Sequence, residues 1–245
     1  MLCILRTGDA IEPVAQARGQ FADFIRNVAS GEWDERWLEV DARATHALPS
    51  SSELSGVIIT GSPSSVTERA PWMLRTEECI RQWVSAGVPI FGICFGHQIV
   101  AQALGGQVAR SPRGREMGTV SVEFLDDDPM LEGIPDTIDA QATHVDSVVR
   151  LPKGARVLAR TALEPVAMYA WGDHVRCVQF HPEFDEEIML SYINARTPIL
   201  LNEGFDPTTL ARTVRQAPLA TRLLVNFIRV VVMSRCERPR YKTGT

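Results

Sequence analysis

The chain has no pair of cysteines at C-x-x-C spacing, and its five cysteines (Cys3, Cys79, Cys94, Cys177 and Cys236) are odd in number, so nothing in it reads as a disulfide framework. Cys94 and His97 stand at Cys-x-x-His spacing, but no second ligand pair follows at a zinc-like distance, and no metal site is expected. There is no apolar run long enough to cross a bilayer and no basic leader ahead of Leu2-Cys-Ile-Leu5, so a cytoplasmic protein without a membrane partner is expected. Basic excess is missing too. The formal charge of −5 argues against nucleic acid as the main partner. Also absent are internal repeats, low-complexity blocks and any Pro/Gly/Ser linker long enough to separate domains.

What is present suits one globular unit. Hydrophobic residues make up 45% and charged residues 22% of 245 positions, ample for a core. Leu2 to Leu5 reads as a strand, and Val14, Ala17, Phe21, Phe24, Ile25 and Val28 share one helical face. Strands follow at 37–40 and 56–60, then a helix marked by Met73, Ile80, Trp83 and Val84, which Gly87 breaks. A strand at 89–93 leads into helical spacing at Ile99, Val100, Ala103 and Leu104. Such alternation predicts an α/β fold: a single domain with a mostly parallel central sheet, helices on both faces, and sites outside the carboxyl ends of the strands. After Gly105-Gly106 come shorter strands at 120–124, 138–143, 156–160, 166–171 and 175–180. They are expected to form a smaller antiparallel portion, with Gly172-Asp173 as a two-residue hairpin turn. Leu210, Val214, Leu223, Leu224, Phe227 and Ile228 restore helical spacing. The domain is expected to span 1–232, with a polar tail over 233–245.

The chemistry concentrates at Gly92-Ile-Cys94-Phe-Gly96, where a buried strand turns into a helix. Glycines on both sides let the backbone turn sharply, which is the sequence form of a nucleophile elbow with Cys in place of Ser. A thiol at a helix N-terminus meets the positive end of the dipole and unpaired N–H groups, which favour its thiolate. Taken alone, a Cys at the end of a core strand is more often inert packing. A nucleophile also needs a base and a group to orient that base. Among five histidines, only His181, in Phe-His181-Pro-Glu183, ends an apolar strand with a carboxylate nearby. Pro182 biases His181 to extended geometry, and residues two apart then project to the same side, so Glu183 can lie beside the imidazole. For the oxyanion of an acyl-transfer intermediate, the N–H of Phe95 is one candidate donor. Gly61, closing the strand expected beside the elbow strand, is either the second donor or an ordinary turn glycine.

Gly92-Ile-Cys94-Phe-Gly96-His-Gln98, with His181-Pro-Glu183 downstream, resembles the triad-type (class I) glutamine amidotransferase family. Thr60-Gly61-Ser-Pro63 is similar to the family's oxyanion loop. Arg115-Glu-Met-Gly118 and Thr143-His144-Val145-Asp146 resemble the Arg-Glu-aromatic-Gly and Ser-His-Gly-Asp segments of the GMP synthase glutaminase domain. The resemblance runs from residue 1 to about 230. It implies that Cys94 attacks the side-chain amide of glutamine, that His181 moves protons and Glu183 orients it, and that ammonia leaves a γ-glutamyl thioester. It also implies that Gln98, His144, Val145 and Asp146 hold the substrate, without a cofactor. Val145 stands where the family has glycine and Met117 where it has an aromatic. No phosphate-binding glycine loop is present, so a separate synthetase subunit is the expected ammonia acceptor. A γ-glutamyl peptidase using the same triad on glutathione-like substrates is the alternative, and a non-catalytic binding domain a further one.

Overall fold

The computed structural model describes residues 1–233. The polar tail expected from 233 onward lies outside the described residues except for Met233, as does Cys236. In chain order the elements are β1 (Leu2–Arg6), α1 (Glu12–Arg18), α2 (Phe21–Val28), β2 (Trp37–Asp41), β3 (Gly56–Ile59), α3 (Pro71–Ser85), β4 (Ile90–Ile93), α4 (Phe95–Ala103), β5 (Gln107–Arg110) and β6 (Glu116–Phe124). They continue with β7 (Thr137–His144), β8 (Asp146–Arg150), β9 (Ala155–Arg160), β10 (Met168–Trp171), β11 (Val175–Val178), α5 (Glu186–Ala195), α6 (Thr197–Asn202), α7 (Pro207–Thr213) and α8 (Pro218–Asn226). Beyond α8 the chain continues as a π-helical segment, Phe227–Val232.

One nine-stranded sheet organises the molecule, in the order β2-β1-β3-β4-β11-β10-β9-β6-β7. Its first five strands are parallel, and from β11 onward every neighbour is antiparallel. The antiparallel portion is therefore the far half of the same sheet, while β5 and β8 form a separate two-stranded ribbon. Alternation along the parallel strands splits the core in two, because successive side chains leave opposite faces. Leu2, Ile4 and Ile58 pack with α2, α8 and the π-helical segment, whereas Cys3, Leu5, Val57 and Ile59 pack with α3 and α4. A third apolar cluster joins Phe21 and Phe24 of α2 to Phe184 and to Ile188, Tyr192 and Ile193 of α5.

Local chemistry explains where expectation and structure part. The helix expected from Val14 to Val28 is two helices: Gly19 takes φ 90°, and the Asp23 carboxylate accepts the Gln20 N–H at 2.8 Å to start the second one. The turn between β10 and β11 has three residues, Gly172 to His174, because Trp171 pairs with Val175. The helical spacing from Leu210 to Ile228 spans two helices, each opened by a proline, Pro207 and Pro218. Elements α5, α6, β5 and β8 have no counterpart in the sequence reading. Among the described residues no helix is long and apolar enough to cross a membrane.

Candidate active site

The elbow is built from what its glycines lack. Cys94 sits between β4 and α4 at φ 53° and ψ −101°, one of only two non-glycine residues with positive φ among the described residues. Such a conformation costs on the order of 1–3 kcal/mol and persists only where the surroundings enforce it. Its N–H is held by the Val178 carbonyl of β11 at 2.9 Å. A Cβ on Gly92 would lie 2.6 Å from the Gly96 carbonyl oxygen, and one on Gly96 would collide with the backbone of Ile59 in β3. Both glycines serve close approach of α4 to the sheet, not a positive φ. Gly96→Ala is accordingly expected to destabilise the protein by about 1–3 kcal/mol or more, read as a lower urea midpoint with an unchanged slope.

His181 reaches Cys94 from the other side of the β4–β11 seam. β11 ends at Val178, and the chain then crosses to β7, where the His181 N–H bonds to the Gln141 carbonyl at 2.7 Å. The imidazole lies against the Phe184 ring, with centroids 4.1 Å apart, and Nδ1 is 2.8 Å from the Glu183 carboxylate. With Nδ1 taken by Glu183, Nε2 is the nitrogen left free to serve the thiol, and Cys94 and His181 line one recess, close enough for each to shift the other's titration. Cys94, His181 and Glu183 are all buried. Burial alone would raise the thiol, but the imidazolium charge and hydrogen bond of His181 outweigh it and bring Cys94 below its ordinary 9.0. Burial pulls His181 down, and Glu183 and Cys94 more than reverse this, lifting it to about 10. By contrast burial pushes Cys3 and Cys177 up to about 12. The site therefore favours a thiolate–imidazolium pair.

Gly61 follows β3 and abuts both groups: a Cβ there would lie 2.9 Å from His181 Cε1 and 3.8 Å from Cys94 Cβ. Its carbonyl accepts from the hydroxyls of Thr7 and Thr60, each at 3.0 Å. Thr7 was not visible as a site residue. Its only sequence signal is a hydroxyl at the end of an apolar strand, where a buried Thr must find partners. Phe95 is the first residue of α4, where N–H groups lack intrahelical acceptors.

An open cleft of about 530 Å³ runs from Cys94 past Gln98, Ser65 and the 143–146 segment to Arg110, Arg115 and Arg196. Several of the residues expected to hold a substrate are already engaged. Gln98 Nε2 donates to the Asp146 carbonyl at 2.9 Å and to Gln179 at 3.0 Å, so it braces the loop and leaves only Oε1 to accept from a ligand. His144 lies between the Asp146 carbonyl and Glu116, each at 3.1 Å. Burial lowers His144, but Glu116 reverses this and raises it, and Thr161 donates to the other Glu116 oxygen at 2.5 Å. The Val145 carbonyl accepts from the Ser111 N–H at 2.8 Å, and the Asp146 carboxylate accepts from Ser65. Glu116 and Thr161 were not singled out from sequence, since their partnership crosses from β6 to the end of β9. Among the described residues no group of three or more His, Cys, Asp or Glu side chains is placed to hold a metal ion.

The model of the family described as glutamine amidotransferase class-I matches residues 27–194, which include the elbow and the His-Pro-Glu segment. The chain belongs to the class-I glutamine amidotransferase family. It is an enzyme of that family. It is 44% identical over 138 residues to a glutamine-hydrolyzing GMP synthase of Aeropyrum pernix, which covers 56% of this chain and 25% of that protein. It is 31% identical over 185 residues to gamma-glutamyl peptidase 3 of Arabidopsis thaliana, covering 72% of this chain and 73% of that one. The chain thus spans about a quarter of the length of the Aeropyrum GMP synthase but most of the peptidase. In fold it is similar to a glutamine amidotransferase from Methylobacillus flagellatus (TM-score 0.74, 21% identity, 100% of this chain and 98% of that one). It is likewise similar to one from Thermotoga maritima (TM-score 0.71, 20% identity, 95% and 98%). The glutamine amidotransferase fold is thereby assigned to this chain.

Proposed function

We propose that the protein hydrolyses a γ-glutamyl amide, with the side chain of glutamine as substrate, and passes the ammonia to a separate acceptor enzyme. The observation that carries this reading is the chain of contacts from Glu183 through His181 to a thiol whose charged form is favoured, at the mouth of a cleft. In it, the Cys94 thiolate attacks the amide carbon, and the oxygen takes up negative charge facing the N–H groups of Gly61 and Phe95. The C–N bond breaks as His181 Nε2 gives its proton to the departing nitrogen, leaving a γ-glutamyl thioester. Water then attacks the thioester carbon, Nε2 takes its proton, and the thiolate departs with glutamate released. Glu183 holds the Nδ1–H tautomer and stabilises the imidazolium. Gln98, His144, Val145 and Asp146 shape the wall that receives the glutamyl end, the first two by bracing the Asp146 carbonyl.

A second reading, hydrolysis of γ-glutamyl peptides, is favoured by the match to the Arabidopsis peptidase over most of both chains. The two differ only in what leaves. Product analysis by mass spectrometry, with glutamine and with glutathione supplied separately, distinguishes them: ammonia from glutamine supports the first reading, and cysteinylglycine from glutathione the second. Inertness toward both, with candidate acceptor proteins added, would sink both.

The pH dependence follows from the pair. Catalysis through a thiolate and an imidazolium needs Cys94 deprotonated and His181 protonated. The acid limb of kcat/KM is expected below the ordinary thiol value of 9.0, and the alkaline limb near pH 10, where His181 loses its proton. Iodoacetamide at pH 7 should label Cys94 ahead of Cys3 and Cys177, in which burial keeps the thiol protonated up to about 12. A single limb near pH 9, or equal labelling of the three, would contradict the ion pair.

A further inference from the structure

Three guanidinium groups line the cleft beside Cys94, and one of them stands apart. Arg115 is clamped on Glu203, with Nε 2.6 Å and Nη2 3.1 Å from its oxygens, and Arg110 approaches the same carboxylate at 3.6 Å. Arg196 pairs with no carboxylate among the described residues. It sits half-buried at the junction of α5 and α6, and Nη1 donates to Thr143 Oγ1. Its guanidinium carbon lies 5.2 Å from the centre of the Tyr192 ring. Burial lowers its pKa, yet an arginine in such a place stays charged. A half-buried cation held by a hydroxyl and an aromatic face, with the rest of its donor fork unused by carboxylates among the described residues, is arranged to receive an anion.

The position of Arg196 indicates which anion. It lines the main cleft and also a narrow recess on the imidazole side of Cys94, together with His181, Asp9 and Tyr192. Since His181 protonates the departing nitrogen, the leaving group lies on that side. Ammonia gives an arginine nothing to hold, whereas an amino acid or peptide carries a carboxylate. We propose that Arg196 binds the carboxylate of an amino-acid or peptide leaving group, making γ-glutamyl peptides with a free carboxylate beyond the scissile bond a substrate class of this site. This rests on the reading of Cys94, His181 and Glu183 given above. The Asp9 carboxylate in the same recess is occupied by Arg43, at 2.7 and 3.0 Å, and so leaves Arg196 uncompensated.

The test compares γ-glutamylglycine with γ-glutamylglycinamide, which share the glutamyl half and differ only in the distal carboxylate. Binding is measured by calorimetry on Cys94→Ala protein, which cannot turn either over, so the result stands whether or not glutamine hydrolysis is detected in the wild type. The acid should bind about 10- to 100-fold more tightly than the amide, as a charge-assisted pair in a half-buried site does. Adding Arg196→Met should erase that gap while leaving the amide's Kd unchanged, and Arg196→Gln serves in its place if the methionine variant does not fold. The proposal is overturned if acid and amide bind alike, if neither binds, or if the gap survives the substitution. It is also overturned if both ligands weaken equally, which would place Arg196 on the glutamyl carboxylate or in a purely structural role.

Discussion

Cys94→Ala and Cys94→Ser will each lower amide hydrolysis by at least about 10³-fold while leaving the fold in place, because removing a nucleophile removes a covalent route that binding groups cannot replace. Serine is the more telling of the two. It keeps the size and the elbow, but a hydroxyl held against His181 is far harder to ionise than this thiol, whose charged form the imidazolium already favours. Alanine should be modestly less stable than the wild type, since it removes one of the two groups that offset the buried imidazolium and leaves Glu183 to do so alone. The check is initial-rate assay of ammonia or amine release beside urea unfolding of each variant. Turnover within tenfold of wild type in a folded variant would end the amide-hydrolysis reading, whichever leaving group is involved.

The elbow was legible because its constraints are local. Gly92 and Gly96 flank Cys94 at fixed offsets, and the switch from a buried strand to helical spacing falls within a few residues, so the turn could be placed before any tertiary contact was known. His181 and Glu183 were legible for a similar reason: Pro182 fixes the backbone that puts them on one side. The parallel half of the sheet followed from continuous apolar strands, which only a sheet covered on both faces requires. Less could be read where the determinant is remote. The Glu116–His144 contact joins β6 to the end of β7, and Thr161 completes it from beyond β9. Nothing in Arg115-Glu-Met-Gly118 signals a carboxylate that must be buried against a distant imidazole. Arg196 was invisible because its distinction is the absence of a carboxylate partner among the described residues, a property that only the assembled cleft defines. The strands β5 and β8 are short and partly polar, and their ribbon exists because Val108 and Val148 bury against α4. Tertiary packing overrides weak propensity there. Gln98, expected to hold substrate, lines the cleft, but its contacts could not be read from sequence: the amide reaches the Asp146 carbonyl and Gln179, so the wall of the cleft is held from behind.

His181→Ala should approach the loss seen for Cys94→Ala, and Glu183→Gln should cost less, on the order of 10- to 100-fold, with the double variant about as slow as His181→Ala alone. The imidazole handles the proton in both halves of the reaction, whereas the carboxylate acts only through it, from 2.8 Å at Nδ1. Glutamine in place of Glu183 can still accept the Nδ1–H bond, so the tautomer that turns Nε2 to Cys94 survives. What is lost is the negative charge, the leading influence that lifts His181 to about 10. The pH profile should therefore move in a way that a merely structural defect would not: in Glu183→Gln the imidazolium is lost at lower pH, and the alkaline limb of kcat/KM shifts toward neutrality. The Glu183 charge also opposes the Cys94 thiolate, so its loss should not move the acid limb upward, and the plateau narrows from the alkaline side. Glu183 Oε2 is buried without a hydrogen-bond partner among the described residues, and the amide nitrogen that replaces an oxygen would itself lack an acceptor there, so a modest fall in stability should accompany the kinetic effect. Losses in His181→Ala and Glu183→Gln that multiply in the double variant would show that the two side chains act independently and that the 2.8 Å contact has no part in catalysis.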